Sequence, residues 1–392
     1  NGERGLPTDQ ISPVSVAPLV FTTGGLGKMT LEEMNRALTG RIYSAGLGIE
    51  GDAWRLSGAT RPADLQLQMQ VLAAYLTDPG FRPQPFVQLQ NFYPQILAQL
   101  SATPMGVFQR DASVLLASGD KREAAATAEE VAGWTIDQVK TGVTQGLSQG
   151  PIHITMVGDV TVDDAIKTVA STFGALPSRR GEARTLPGSD QRRFPAANAQ
   201  PVQLTHTGPA EQAMGFVAWP TTDQVKDRTE ARTVNILSEV LSLRVLEEIR
   251  EKQALTYSPS TGAQASDVYK DYGLVSVSGQ LTPATLQKFY EEVDKIVAGL
   301  REAPPSQDEL DRARRPVIER LRQSQAGNEY WLGQLEDIAA DPSQVQQTLT
   351  HISDIEALTP ADIQRAAQKY LVADRAFRVN VVSANAAAAP AQ

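Results

Sequence analysis

Residues 57–66 read Ser-Gly-Ala-Thr-Arg-Pro-Ala-Asp-Leu-Gln, and residues 278–287 read Ser-Gly-Gln-Leu-Thr-Pro-Ala-Thr-Leu-Gln. Six of the ten positions agree at a constant offset of 221. Each copy places a Pro, with its fixed φ, where a helix would begin. After Pro62 the apolar residues Leu65, Met69, Leu72 and Leu76 recur every three to four positions, and after Pro283 so do Leu286, Tyr290, Val293, Ile296 and Leu300. That spacing predicts two long amphipathic helices. Gly273 to Ser278 alternates as a half-buried strand does, and Ala213 to Trp219 is a second strand candidate. Further on, Thr135 to Lys140 leads into the strand-like Ile152 to Val157, as Thr359 to Gln364 leads into Arg378 to Val382. The same order of elements thus occurs twice.

Strands followed by long helices, in non-alternating order, predict an α+β fold. We expect two homologous domains, each a mixed or mainly antiparallel sheet with long helices packed on one face. Between Leu176 and Pro201 the apolar period gives way to Pro, Gly, Ser and Arg, the composition of a linker. The expected organisation is a first domain over 1–180, a linker over 181–200 and a second domain over 201–392.

At 392 residues and 41% apolar content, the chain can give each domain its own core. The formal net charge of -9 repels nucleic acid and anionic lipid, which leaves protein, peptide or small molecule as partner. No apolar run reaches the roughly 18 to 20 residues of a membrane span. Val14 to Phe21, the nearest, is too short and contains Pro18. Cysteine is absent, which removes disulfides, thiolate nucleophiles and Cys-based metal sites, and gives no vote on compartment. The chain begins at Asn1 with no charged-then-apolar leader after it, so it reads as a processed product or excised piece whose native start lies upstream.

The three histidines, His153, His206 and His351, have no partner at helical spacing, and H-x-x-E-H, which sets two imidazoles and a water-activating Glu on one helix face, occurs nowhere. His153 lies in a strand pattern and His351 at a helix start, so core or capping duty is the expectation for each. No residue of this chain is expected to bind a metal or cofactor. Thr22 to Thr30 has the look of a phosphate loop, but Lys28 is followed by Met29 and the Gly spacing fails. The better reading is a turn before a helix capped by Thr30 and Glu33.

The stretch from Asn235 to Tyr257 carries the most information. It reads as a helix with apolar face Ile236, Val240, Leu243, Leu246 and Ile249, a charged opposite face, and a loop leading to Tyr257. On chemistry alone Arg250 is one more solvated cation and Tyr257 an amphipathic ring at a strand entrance. The run Arg250-Glu-Lys-Gln-Ala-Leu-Thr-Tyr257, with Arg and Tyr seven residues apart, resembles the motif in the second half of the pitrilysin/insulinase-type (inverzincin) metallopeptidases. The resemblance extends over nearly the whole chain: Gly158-Asp159 after a strand pattern, Phe173-Gly-Ala-Leu-Pro177, Ala213 to Trp219, and Asn328-Glu-Tyr-Trp331 followed by Asp341-Pro342.

That resemblance implies that the chain is the C-terminal or non-zinc half of a zinc-dependent metalloendopeptidase, inactive without its zinc-bearing half, which is either part of the same polypeptide or a separate subunit. It also implies roles for the pair. Tyr257 would donate a hydrogen bond to the oxyanion of the tetrahedral intermediate, and Arg250 would bind a substrate carbonyl or share that charge. Zinc and the general base would belong to the partner half, and a sheet edge would bind the peptide substrate. The family often has Gly where this chain has Ala254. Aligned on Phe21, the positions of the two His and the Glu fall on Val14, Ala17 and Pro18, none able to ligate zinc or activate water. The resemblance points to the bacterial periplasm or cell envelope. The alternative is a catalytically inactive structural, assembly or peptide-binding homologue on the same scaffold; a purely structural copy would have no use for both Arg250 and Tyr257, whereas a peptide-binding one would keep the chamber without a metal-bearing mate.

Overall fold

Pro62 and Pro283 each open a 3₁₀ turn, Pro62–Asp64 and Pro283–Thr285, which runs directly into a long helix, Leu65–Thr77 or Leu286–Glu302. The repeated decapeptide therefore codes the same local structure twice, and of its four differing positions the eighth changes the local bonding. Asp64 is buried and accepts the Ile42 N–H at 3.0 Å and the Arg61 Nε at 2.6 Å. Thr285 instead closes a capping box on Thr282, whose N–H it accepts at 3.1 Å. The second pair of matching helices agrees as well. Ile136–Leu147 starts from a capping box of Thr135 and Gln138, and Pro360–Tyr370 from one of Thr359 and Asp362.

The computed structural model describes residues 2–179, 181, 185–256, 258–342 and 344–385. The fold is α+β. It divides into two compact units, Asn1–Leu97 with Ala124–Asp190, and Ala98–Glu123 with Gln191–Gln392. The division at Asp190 lies inside the expected linker. Residues 98–123, however, belong with the second unit and not with the first domain of 1–180 in which the sequence reading put them.

Among the described residues of the first unit, the sheet is a two-stranded antiparallel pair, β1 (Gly46–Ile49) with β2 (Trp54–Ser57). Helices and turns supply most of its core, with Phe21, Met34, Tyr75, Val139 and Val143 buried. Val14 and Ala17 are core residues of this unit, 3% and 0% exposed. The capping box of Thr30 and Glu33 is present at the start of helix Leu31–Ala37, so the phosphate-loop lookalike is a turn. Ile152 to Val157, strand-like in sequence, joins no strand ladder among the described residues. Its apolar alternation finds no neighbouring strand to pair with, and alternation alone does not make a sheet.

The second unit has a five-stranded mixed sheet in the order β3 (Val202–His206), β7 (Phe377–Ser383), β4 (Ala213–Pro220), β6 (Gly273–Leu281), β5 (Ser260–Ala265). The β3–β7 pair is parallel and the other pairs are antiparallel. Side chains alternate across β4, so Ala213, Val217 and Trp219 enter one core while Met214, Phe216 and Ala218 enter others on the opposite face. Helices Arg228–Val245, Leu286–Glu302 and Pro360–Tyr370 fill the first core with Ile236, Leu237, Leu241, Phe289 and Ile363, all fully buried. Tyr290 lies in the same layer, and its hydroxyl donates toward the Val379 carbonyl at 2.9 Å and the Asn380 Oδ1 at 2.8 Å. The opposite face is covered by helix Pro104–Leu116, drawn from the first half of the sequence. Phe108 packs on Phe216 with ring centroids 4.6 Å apart, and Val107 sits fully buried against Met214 and Val381. The expectation of helices on one face thus describes this unit's own long helices, and the other face is closed by a segment from far upstream of the linker.

Candidate functional site

Asp227 starts the central helix of the second unit by accepting the Glu230 N–H at 2.9 Å. The helix runs as Arg228–Val245 and then widens into a π-helical segment, Leu246–Lys252. Such wide turns add a residue to the turn and reorient the side chains that follow. Ile249 is fully buried here, and the next residue, Arg250, is exposed. The wide geometry persists to the end, with Gln253 N–H donating to the Glu248 carbonyl at 3.1 Å and Leu255 N–H to the Ile249 carbonyl at 3.0 Å. The sequence reading of one continuous amphipathic helix missed this change of period. Ile236, Val240 and Ile249 are buried as it expected, but so are Leu237, Leu241 and Val245, because helices and β5 surround this helix.

Charge is concentrated around the π turn. The Lys252 ammonium lies 2.6 Å from Glu248 and 2.9 Å from Glu247, and these hydrogen bonds, that of Glu248 first, raise its pKa; the bond to Lys252 lowers that of Glu247. Arg244 grips Glu309 with two parallel bonds of 2.7 and 3.0 Å, tying the helix to the start of helix Gln307–Ser324. These partners escaped the sequence reading. The Glu248–Lys252 spacing of four was the available signal for one of them.

Ala254 ends the turn with φ +50, a left-handed conformation that favours Gly. This gives a structural reason for the Gly that the family often carries there. Replacing Ala254 with Gly should relieve that strain and raise stability by about 0.5–1 kcal/mol, after allowing for the extra freedom Gly has when unfolded. Urea denaturation of both chains is the check, and a less stable Gly variant would contradict it. Thr256 follows, buried, with no hydrogen-bond partner for its hydroxyl. Tyr257 lies outside the described residues, so the second member of the pair is known by sequence position alone.

The histidines do not build a metal site. His206 is fully buried with both ring nitrogens engaged, Nδ1 accepting the Gly208 N–H at 3.1 Å and Nε2 facing the Gln212 carbonyl at 2.9 Å. His153 is exposed in the other unit. His351 is the first residue of helix His351–Glu356; burial, and then the nearby Arg232, push its pKa down to about 4. Among the described residues, no group of three or more His, Cys, Asp or Glu is placed to hold a metal ion.

His351 also gives a pH prediction. In the unfolded chain its imidazole takes up a proton near pH 6.5, whereas in the folded chain it stays neutral until about 4. Protons therefore favour the unfolded state across that window. Stability is fully present above 6.5 and falls as pH drops toward 4, by about 1–2 kcal/mol for a partly solvated ring. His351→Gln should remove that share of the acid sensitivity. Urea midpoints at pH 7 and 4.5 will test it, and equal losses in the two proteins would refute it.

The second unit is thus a long-helix α+β domain whose central helix ends in an exposed Arg, with no cluster of metal ligands among the described residues. Residues 134–317, which include Arg250 and Tyr257, match the family profile described as the peptidase M16 inactive domain, in line with the resemblance to the pitrilysin/insulinase-type peptidases. It is 24% identical over 290 residues to the chloroplastic stromal processing peptidase of Pisum sativum, an alignment covering 63% of this chain and 23% of that protein. Two solved structures share its fold. The peptidase M16 inactive domain from Pseudomonas fluorescens superposes with TM-score 0.77 at 19% identity, covering 97% of this chain and 91% of that one. The periplasmic protease PqqL from Escherichia coli gives TM-score 0.78 at 14% identity, covering 98% of this chain and 42% of that one. The chain therefore spans about a quarter of the curated relative and under half of this protease.

Proposed function

We propose that this chain is the half of a zinc-dependent metalloendopeptidase that does not itself hold the metal. It binds peptide and donates hydrogen bonds from Arg250 and Tyr257 to the tetrahedral intermediate, while a zinc-bearing homologous half, fused or separate, supplies zinc and the general base. The observation that carries this reading is Arg250 itself, exposed on a π turn whose preceding residue, Ile249, is locked in the core. Burial of Ile249 fixes the backbone from which the guanidinium projects, and a donor carried on a rigid element has less to reorganise when charge grows on a carbonyl oxygen. The Escherichia coli relative is described as a periplasmic protease. By extension we place the assembled enzyme in a bacterial periplasm or envelope. Among the described residues no helix is long and apolar enough to cross a membrane.

The family description of the matched domain as inactive equally suits a scaffold or peptide-binding homologue without catalysis. Reconstitution separates the two readings. Alone, the chain should bind no stoichiometric zinc and cleave no peptide; mixed with its zinc-bearing half, it should restore hydrolysis. A mixture that assembles and stays inert, while the same zinc half is active with another mate, would leave only the scaffold.

A further inference from the structure

Two glycines stand opposite each other in the second unit's sheet: Gly215 of β4 is paired directly with Gly279 of β6, the Gly of the second decapeptide. Glycine inside a strand weakens it, and often marks the close approach of another group. Here that group is the ring of Phe289, fully buried on helix Leu286–Glu302. A Cβ on Gly215 would stand 3.0 and 3.1 Å from its Cδ1 and Cε1, and one on Gly279 3.2 Å from Cε2 on the other edge. The ring lies across both glycines. Gly279 has a further neighbour, the Thr256 Cγ2, 3.3 Å from where its Cβ would be; at Gly215 that place is taken by Leu281 Cδ1, at 3.1 Å.

We propose that Gly279 is a positioning residue for the reaction: the notch left by its missing side chain seats the Thr256 methyl group and so fixes the point from which the chain continues into Tyr257. This rests on the reading of Tyr257 as an oxyanion donor and gives that donor its support. The seat works by shape. Thr256 is 5% exposed and its hydroxyl has no hydrogen-bond partner, so packing and not a polar bond holds its side chain. The residue before it is tied as well, Leu255 N–H donating to the carbonyl of the fully buried Ile249 at 3.0 Å. Residue 255 is thus fastened to the central helix and residue 256 to the sheet. Tyr257 is the next residue in sequence.

The fit leaves no room for one more carbon. An Ala at 279 would bring its Cβ against Thr256 and Phe289 at distances shorter than ordinary van der Waals contact, and in a close-packed interior the neighbours answer by shifting. Phe289 is enclosed between helix and sheet, with the Tyr290 ring 5.4 Å away, whereas Thr256 belongs to a connecting segment outside helix and strand. The segment therefore gives way first. Thr256→Ser creates the opposite defect, an empty notch, and combining it with Gly279→Ala refills the same space from the sheet side. Gly58, the matching Gly of the first decapeptide, is also crowded, by the Ser44 carbonyl and the Gln68 side-chain amide. In both copies this Gly marks a place where another segment crosses closely.

The test replaces tyrosine by 3-fluorotyrosine in the full chain and follows the fluorine line of residue 257, identified by its absence from Tyr257→Phe. Gly279→Ala should move or broaden that line, and so should Thr256→Ser; the double variant should return it toward the wild-type position, as expected of two residues that share one space. Gly215→Ala crowds the same ring from the other strand and is the control. It should lower the melting temperature as Gly279→Ala does and leave the line in place. In the reconstituted peptidase Gly279→Ala should lower kcat about ten-fold with KM within about two-fold, because a slightly displaced donor is missed mainly in the transition state. A wild-type line in Gly279→Ala overturns the proposal, as does a double variant no closer to wild type than Gly279→Ala alone, or an unchanged kcat in Gly279→Ala where Tyr257→Phe is impaired. If Gly279→Ala does not fold, Thr256→Ser compared with the double variant decides. A failed peptidase reading shows elsewhere, as undiminished turnover in Tyr257→Phe, while the fluorine line still reports whether the notch sets residue 257.

Discussion

Tyr257→Phe should lower turnover of the reconstituted peptidase ~10²-fold or more and leave peptide affinity nearly unchanged. Only the hydroxyl is removed. If it bonds to the carbonyl oxygen mainly once that oxygen carries charge, its loss raises the barrier by around 3 kcal/mol without touching the ground state. Arg250 provides the contrast. A guanidinium bound to a substrate carbonyl acts before and during the reaction, so Arg250→Met should raise KM as well as lower kcat. Both variants should melt as wild type does, since Arg250 is exposed and the phenol ring is kept. Steady-state kinetics on the two reconstituted variants separate the roles. Wild-type turnover in the Phe variant would remove Tyr257 from the chemistry, and an unchanged KM in the Met variant would remove Arg250 from substrate binding.

How far the sequence could be read depended on the range of the interaction that decides each element. Local signals carried well: the Pro-led decapeptides, the Thr30 cap and the alternation of Gly273 to Ser278 all concern residues a few positions apart. β5 gave no such signal, because a strand of Ser, Thr, Gly, Ala and Gln is made by its pairing with β6 and not by its own apolar pattern. The reverse error occurred at Ile152 to Val157, where a strand pattern joins no ladder among the described residues. At the candidate site Arg250 and Tyr257 could be singled out by type and spacing, but the backbone that carries Arg250 could not be foreseen. Nothing in Leu-Glu-Glu-Ile-Arg-Glu-Lys marks a π turn, which arises from burying Ile249 while the helix exits toward β5. Ala254 likewise hides its left-handed φ, since the residue that would announce it is Gly.

The least legible feature carries the largest expected effect on stability. Helix Pro104–Leu116 covers a sheet more than 80 residues downstream of it, and no local pattern could name that destination. Its packing buries Met214, Phe216, Ala218, Leu274, Phe377, Val379 and Val381 from one side. At about 1.5–3 kcal/mol for each large apolar side chain taken from water, uncovering this face would cost on the order of 10 kcal/mol, comparable with the whole stability of a domain. Residues 191–392 expressed alone should therefore aggregate or bind hydrophobic dyes, and adding back 98–123 should restore a cooperative melt. In the full chain the sharper variant is Val107→Asp. Val107 is fully buried against Met214 and Val381, so the carboxylate would sit unpaired under the sheet at a cost of ~4 kcal/mol or more. Gln109→Asp, on the exposed side of the same helix, should change stability by no more than about 0.5 kcal/mol. Urea denaturation of the three chains gives the comparison. Equal midpoints for Val107→Asp and wild type would mean that this helix does not hold the sheet, and that the division of the chain into its two units is drawn in the wrong place.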